Sequence, residues 1–172
     1  SNDACDTYDK WANYNKDGSR KPEKECTIIK CGDISKLDLK TVLPDTEVDV
    51  VLGGFPCQGF SLSGPRKIDD TRNILYKHYV RIVREKEPKI FVGENVKGLL
   101  TMANGQIFEA IKAEFSECGY DVYSQLVNAR DFGVPQDRER VMIVGFRKDL
   151  NIKNFEIPVP TNMKMTMREA LA

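Results

Sequence analysis

The sequence predicts a doubly wound α/β domain with a mostly parallel sheet, and three observations carry that expectation. Strand-like and helix-like segments alternate along most of the chain. VDVVLGG (48–54) and KIFVGEN (89–95) are near-continuous apolar runs of the kind found in buried parallel strands. Three unusual clusters fall where strands end: GDIS after 26–31, PCQ after 48–54, and ENV at the end of 89–93. Ligands of such sheets gather outside the carboxyl ends of the strands. Chemistry is therefore expected along one sheet edge.

Each element follows from its own pattern. Residues 4–14 read as a short helix with Tyr8, Trp11 and Ala12 on one side. KDGSRKPEKE (16–25) is a solvated, charged loop, and CTIIKC (26–31) is a short strand from which GDIS turns away. After strand 48–54, Leu75, Tyr79, Ile82 and Val83 recur at helical spacing within 71–87, and Pro88 stops that helix. Strand 89–95 follows. Between Gly105 and Cys118 a helix places Ile107, Phe108, Ile111 and Phe115 on one face, and Gly119 ends it. YDVYSQLVN (120–128) and RVMIVGF (140–146) are strands on either side of the turn-forming DFGVPQ. Beyond Lys148 the pattern weakens, and TNMKMTMREALA begins another helix.

Composition narrows the function classes. The chain has 172 residues, 41% hydrophobic and 30% charged, which is ordinary for a water-soluble domain with a sizeable core. No apolar run approaches the about 20 residues of a membrane span, and no signal-peptide pattern is visible. Five cysteines without a CxxC pair, beside a single histidine, argue against a metal cluster, so no metal is expected. The thiols read as reduced and the compartment as cytoplasmic. Lys plus Arg equals Asp plus Glu at 26 each, so a nucleic-acid surface must be a local patch. One candidate lies between Pro65 and Arg84, where Arg66, Lys67, Arg72, Lys77, Arg81 and Arg84 stand against Asp69 and Asp70.

Cys57 has the most informative neighbours. Pro56 fixes its own φ and restricts Phe55, while Gly53, Gly54 and Gly59 allow tight turning and close approach of a ligand. A thiol in such a turn is either a reactive group near backbone N–H donors or a small buried hydrophobe. The residue types alone leave both open.

GFPCQGFS, ENVKGLL and QDRER, in that order, resemble the cytosine-5 DNA methyltransferase family of bacterial restriction–modification type. GDI (32–34), DTRNIL (70–75) and FGVPQ (132–136) extend the likeness over nearly the whole chain. The resemblance implies a Rossmann-like, S-adenosylmethionine-dependent methyltransferase fold. It implies transfer of a methyl group from S-adenosylmethionine to carbon 5 of cytosine in double-stranded DNA, with the target base flipped out of the duplex. Cys57 is then the nucleophile that adds to carbon 6. Glu94 binds ring nitrogen 3 and the exocyclic amine, Arg140 contacts the carbonyl oxygen, and Arg138 supports the loop or a phosphate. Arg138 and Arg140 alternate into a strand, so both can point to one side.

For the cofactor, the same resemblance matches Asp33 and Ile34 to the adenine site and Asp3 to the ribose hydroxyls, and it adds Phe55 and Pro56 to the cofactor contacts. Without the resemblance, Asp33 reads equally well as an Asx-turn residue. Gln58, Ser61, Ser63, Arg72 and Asn95 are the candidate substrate or DNA contacts, with Asn95 expected to tie down a turn. Residues 58–73 correspond to the loop that closes on DNA.

The sequence departs from the family in lacking the Gly-rich first strand and the target-recognition region, and in carrying Ala4 and Asn73 at two motif positions. The expectation is thus a sheet truncated at its first strand. Residues 1–150 form part of the catalytic domain, and 151–172 form a linker leading to target recognition. The complete enzyme is expected to be monomeric and cytoplasmic in a bacterium. Two rivals are a tRNA cytosine-5 methyltransferase and a catalytically inactive binding module. A third, a thiol hydrolase in which His78 assists Cys57, is weakened by the placing of His78 on a charged helix face among Lys77, Tyr79 and Arg81.

Overall fold

Four segments pair into one sheet: β1 (Val50–Gly53), β2 (Ile90–Val96), β3 (Tyr120–Asn128) and β4 (Glu139–Arg147), in the spatial order β1-β2-β4-β3. The structure is a computed structural model. It describes residues 2–22, 27, 30–44, 47–56, 75–156, 158–161 and 165–171, with the side chains of 2–4 left aside. The chain divides into two compact units, Ser1–Asp45 and Thr46–Ala172.

In the second unit, β1 and β2 are parallel, with Val51 beside Phe91 and Gly53 beside Gly93. The helix α3 (Leu75–Lys86) lies between them in sequence, as a parallel connection requires. A 3-10 segment (Lys97–Gly105) and α4 (Gln106–Glu117) lead from β2 to β3. The connection 129–138 is too short for a crossover, so β4 returns antiparallel to β3 and also runs antiparallel to β2. Strands β1, β2 and β3 therefore share one direction and β4 alone is reversed. The described sheet is thus mixed: the β1–β2 pairing is parallel as expected, and both pairings of β4 are antiparallel.

Residue alternation assigns the two faces. Phe91, Gly93 and Asn95 of β2 sit with Val141 and Ile143 of β4 on one face. Tyr79, Val80 and Val83 of α3, with Phe108, Ile111 and Phe115 of α4, complete that core. Phe91 stacks on Phe115 at 4.3 Å and meets Tyr79 and Tyr120 edge-on. On the opposite face Phe146 and Tyr123 gather Phe155, so part of the segment after 150 packs on the sheet. Toward β1 that face opens: Val50 is 47% and Leu52 73% exposed. The strand expected to be buried on both faces is buried on one, because β1 is the outer strand of the described sheet.

Helix α3 ends where Glu87 takes a left-handed φ of 44° ahead of buried Pro88. The four residues 71–74 of its expected span lie outside the described residues. Helix α5 (Met167–Ala170) starts with a capping box between Thr166 and Glu169, the helix start expected at the end of the chain.

In the first unit, α1 (Asn2–Asn13) agrees with the expected helix. Asn13 is buried, and its Nδ2 donates to Asp9 Oδ1 and to the Thr27 carbonyl. Residues 26, 28 and 29 of the expected strand 26–31 lie outside the described residues, and 27, 30 and 31 are not in a strand. Asp38 caps α2 (Leu39–Val42), a single turn too short to register as a periodic pattern. Cys5 and Cys31 form a disulfide with Cα atoms 6.3 Å apart, which corrects the reading of all thiols as reduced. That reading rested on cysteine counts, which carry no distance information.

Candidate functional site

Strand β2 delivers Gly93, Glu94 and Asn95 to the carboxyl edge of the sheet, and alternation sends Glu94 and Asn95 to opposite faces. The reversed direction of β4 brings its first residues to this same edge. Register pairs Glu94 with Met142 and Val96 with Arg140, so Arg140 is the diagonal neighbour of Glu94 on one face. Arg140 Nε stands 2.6 Å from Glu94 Oε1. Its N–H is not aimed along that line, and Nε is a buried nitrogen without a hydrogen-bond acceptor among the described residues. Nη1 of the same guanidinium donates to the Glu139 carbonyl at 2.8 Å. Arg138 Nη2 approaches the same Oε1 at 3.5 Å. Two cations thus address one oxygen of Glu94.

The other oxygen faces the end of β1. A Cβ built on Gly54 would lie 3.2 Å from Glu94 Oε2, so the missing side chain keeps that oxygen clear. Arg138 is held from behind, its N–H donating to Asn128 Oδ1 at 3.1 Å and its carbonyl accepting from Ala129 N at 3.0 Å. Lys97 closes the rim by pairing with both carboxylate oxygens of Glu139 at 2.9 Å. An acceptor carboxylate beside a planar donor group suits the edge of a planar base that offers both donors and acceptors.

Asn95 turns inward and is 3% exposed. Its Nδ2 donates to the Phe55 carbonyl at 2.8 Å, and its Oδ1 accepts from Val96 N at 2.9 Å. Both ends of the side chain are engaged within the protein. An even–odd step along β2 separates Asn95 from Glu94, and among the described residues its side chain bonds backbone on its own side of the sheet. The expected tie to a turn is what the side chain makes. Phe55 turns its ring into the core. The ring is buried between Tyr76 and Tyr79 at 6.5 and 5.5 Å, and a Cβ on Gly93 would lie 3.2 Å from it, so only its backbone is left for a cofactor. Pro56 is exposed.

Asp33 and Ile34 belong to the first unit, where Asp33 Oδ1 accepts from Ser35 N at 2.9 Å as an Asx turn. The carboxylate is exposed and the Ile34 side chain half-buried. Cys57, Gln58, Ser61, Ser63 and Arg72 lie outside the described residues, as does the side chain of Asp3. The helical spacing predicts Tyr79 only as one apolar position in a stripe. Its hydroxyl bonds the carbonyls of Val92 at 2.8 Å and Val51 at 3.1 Å, one on each of the two site-bearing strands. The signal that could have found it is a phenol in a core stripe, since a buried hydroxyl needs a partner.

A sequence profile described as C-5 cytosine-specific DNA methylase matches residues 4–172. The type II methyltransferase M.BspRI of Lysinibacillus sphaericus is 47% identical over 129 residues, covering 75% of this chain and 30% of its own length. M.HhaI of Haemophilus parahaemolyticus, also a type II methyltransferase, is 40% identical over 167 residues, covering 95% of this chain and 48% of its own. A prophage-encoded E. coli protein described as a DNA modification methyltransferase has a solved structure that superposes with a TM-score of 0.68. It shares 33% identity over 81% of this chain and 40% of its own. The chain thus spans under half the length of these relatives.

Proposed function

Because the chain belongs to the C-5 cytosine-specific DNA methylase family, we propose that the protein that carries it methylates carbon 5 of cytosine in duplex DNA. The observation that carries this reading is the Glu94–Arg140 pair, with Arg138 beside it, at the edge toward which the chain leading to Cys57 also runs. In this reading Cys57, as thiolate, bonds to carbon 6 of a flipped cytosine. Glu94 holds the ring nitrogen 3 and amine edge. Arg140 donates to the carbonyl oxygen, where negative charge grows as the thiolate adds. Arg138 keeps Glu94 in place and supports the neighbouring loop.

Methyltransferases of this family use S-adenosylmethionine, which when bound supplies the methyl group. The residues at 33–34 fit such a group: an exposed carboxylate suits an exocyclic amine, and a half-buried aliphatic side chain suits the flat face of a base. Asp3 and Pro56 are proposed as further cofactor contacts. Gln58, Ser61, Ser63 and Arg72 are proposed on the DNA side. Residues 151–172 are proposed to lead toward the target-recognition part of the protein, and the whole enzyme to act as a cytoplasmic monomer. No helix among the described residues is long and apolar enough to cross a membrane.

The test is covalent trapping of the full-length protein on duplex DNA carrying 5-fluorocytosine, with cofactor present. After addition and methyl transfer no proton remains at carbon 5 to leave, so an adduct through Cys57 should accumulate and disappear in Cys57→Ser. A parallel arm with tRNA separates the RNA reading. Adduct on tRNA alone, or none on either substrate, would sink the proposal.

A further inference from the structure

We propose that Tyr79 and Asn95 form a two-point clamp that sets the end of β1 against the end of β2, and that both are positioning residues for the reaction of Cys57 with a base held by Glu94. The proposal deepens, and rests on, the roles given above to Cys57 and Glu94.

Strand β1 has only four residues and pairs with β2 alone among the described strands. A ladder that short, exposed on one side, is weakly held against local opening. Yet Gly53, its last residue, begins the approach to Cys57. The strand is held instead by two side chains that lie outside the ladder. Ahead of the strand end, the Tyr79 hydroxyl reaches Val51 O and Val92 O, and so touches both strands with a single donor. Past the end, Asn95 Nδ2 takes the carbonyl of Phe55, the residue next but one before Cys57.

The two points are joined by packing. The Tyr79 ring lies so close under Gly53 that a Cβ there would stand 2.5 Å from it. The Phe55 ring rests on Tyr79 with centroids 5.5 Å apart. Tyr79 is 5% and Asn95 3% exposed, so water does not compete for either bond. Burial holds the Tyr79 phenol above the usual tyrosine range, which keeps it a donor at working pH. Asn95 uses one donor and one acceptor at once, which an aspartate cannot do when ionised.

Neither side chain is assigned a contact with the base, and both act through backbone. Shifting a reacting group by about 1 Å can cost on the order of a hundredfold in rate. The clamp therefore predicts a loss in the chemical step with binding preserved. The experiment compares Tyr79→Phe and Asn95→Ala with the unsubstituted full-length protein. It reads the rate and final amount of adduct on 5-fluorocytosine DNA, the KM for DNA, and the affinity for S-adenosylmethionine. Expected is a fall of about tenfold or more in adduct rate per active site, with final adduct per folded protein, KM and cofactor affinity close to unsubstituted values. A role confined to stability would lower the melting temperature or the final amount and leave the rate unchanged, and that result overturns the clamp. Tyr79→Phe removes one oxygen and no carbon, so it carries the test alone if Asn95→Ala does not fold. No adduct with the unsubstituted protein overturns the underlying reading, and the clamp with it.

Discussion

Glu94 and Arg140 meet diagonally across β2 and β4, with Arg140 Nε 2.6 Å from Glu94 Oε1. The pair exists because β4 runs backward through an otherwise unidirectional sheet. A strand entering at the carboxyl edge places its first residues where the parallel strands place their last. Replacing Arg140 by Ala leaves Glu94 with Arg138 at 3.5 Å and removes a donor from the site. Single-turnover methylation of duplex DNA by the full-length protein should then fall by roughly a hundredfold to a thousandfold. Arg140→Lys should recover only part of that, since an ammonium cannot reproduce the guanidinium fork. An Arg140→Ala rate near that of the unsubstituted protein would refute the assignment.

Gly53 packs closely against the Tyr79 ring. An alanine there would drive its Cβ to 2.5 Å from Tyr79 Cε2 and 2.9 Å from Cδ2. Gly53→Ala should cost about 1–3 kcal/mol as overpacking, read as a lowered denaturation midpoint. Tyr79→Phe should not relieve it, because the clash is with ring carbons, whereas Tyr79→Leu should. Equal midpoints for Gly53→Ala and its parent would contradict the packing.

Two buried phenols, Tyr79 and Tyr120, and the half-buried Tyr76 give the protein an alkaline limit. Burial raises Tyr76 and Tyr79 above the usual range, with Glu114 adding to the effect on Tyr76, and pushes Tyr120 up to about 12. Each folded-state value lies above the unfolded one, so the contribution to stability is complete below the unfolded value of about 10 and shrinks as pH rises beyond it. Urea-denaturation free energy should hold steady toward pH 9 and decline between about 10 and 12. Tyr120→Phe should flatten part of that slope. It should also cost about 1 kcal/mol at neutral pH through loss of the 2.6 Å bond to the Pro88 carbonyl. A slope of opposite sign would exclude this origin.

The Lys97–Glu139 pair should matter little to stability despite its short distances. Its side chains are 56% and 42% exposed, and pairs of that kind are worth less than about 1 kcal/mol. Lys97→Ala should move the denaturation midpoint slightly in low salt and less in high salt. A shift that salt does not reduce would mean that the lysine holds the strand ends in another way.

Much of the fold was legible because burial writes itself into side-chain period. β3 occupies the predicted 120–128, and β2 and β4 differ from their predicted spans by one residue at each end. α2 escaped because a single turn has no period to read, and the Cys5–Cys31 bond because pairing depends on distance. Within the site, the residue types of Glu94, Arg138 and Arg140 and their order were readable. For Asn95 the expected tie to a turn agrees with the alternation Phe91, Gly93, Asn95, which places it on the buried face.

By itself the sequence determined most of the segments that become strands and helices, and that the chain carries the family's motifs in order. Those are local properties, set by residue type and spacing. Only the tertiary structure decided that β4 inserts in reverse between β2 and β3, that Arg140 therefore meets Glu94, and that Tyr79 and Asn95 bind β1 to β2. Strand direction and register depend on partners far away in the chain, and a one-residue slip along β4 would carry Arg140 to the opposite face from Glu94.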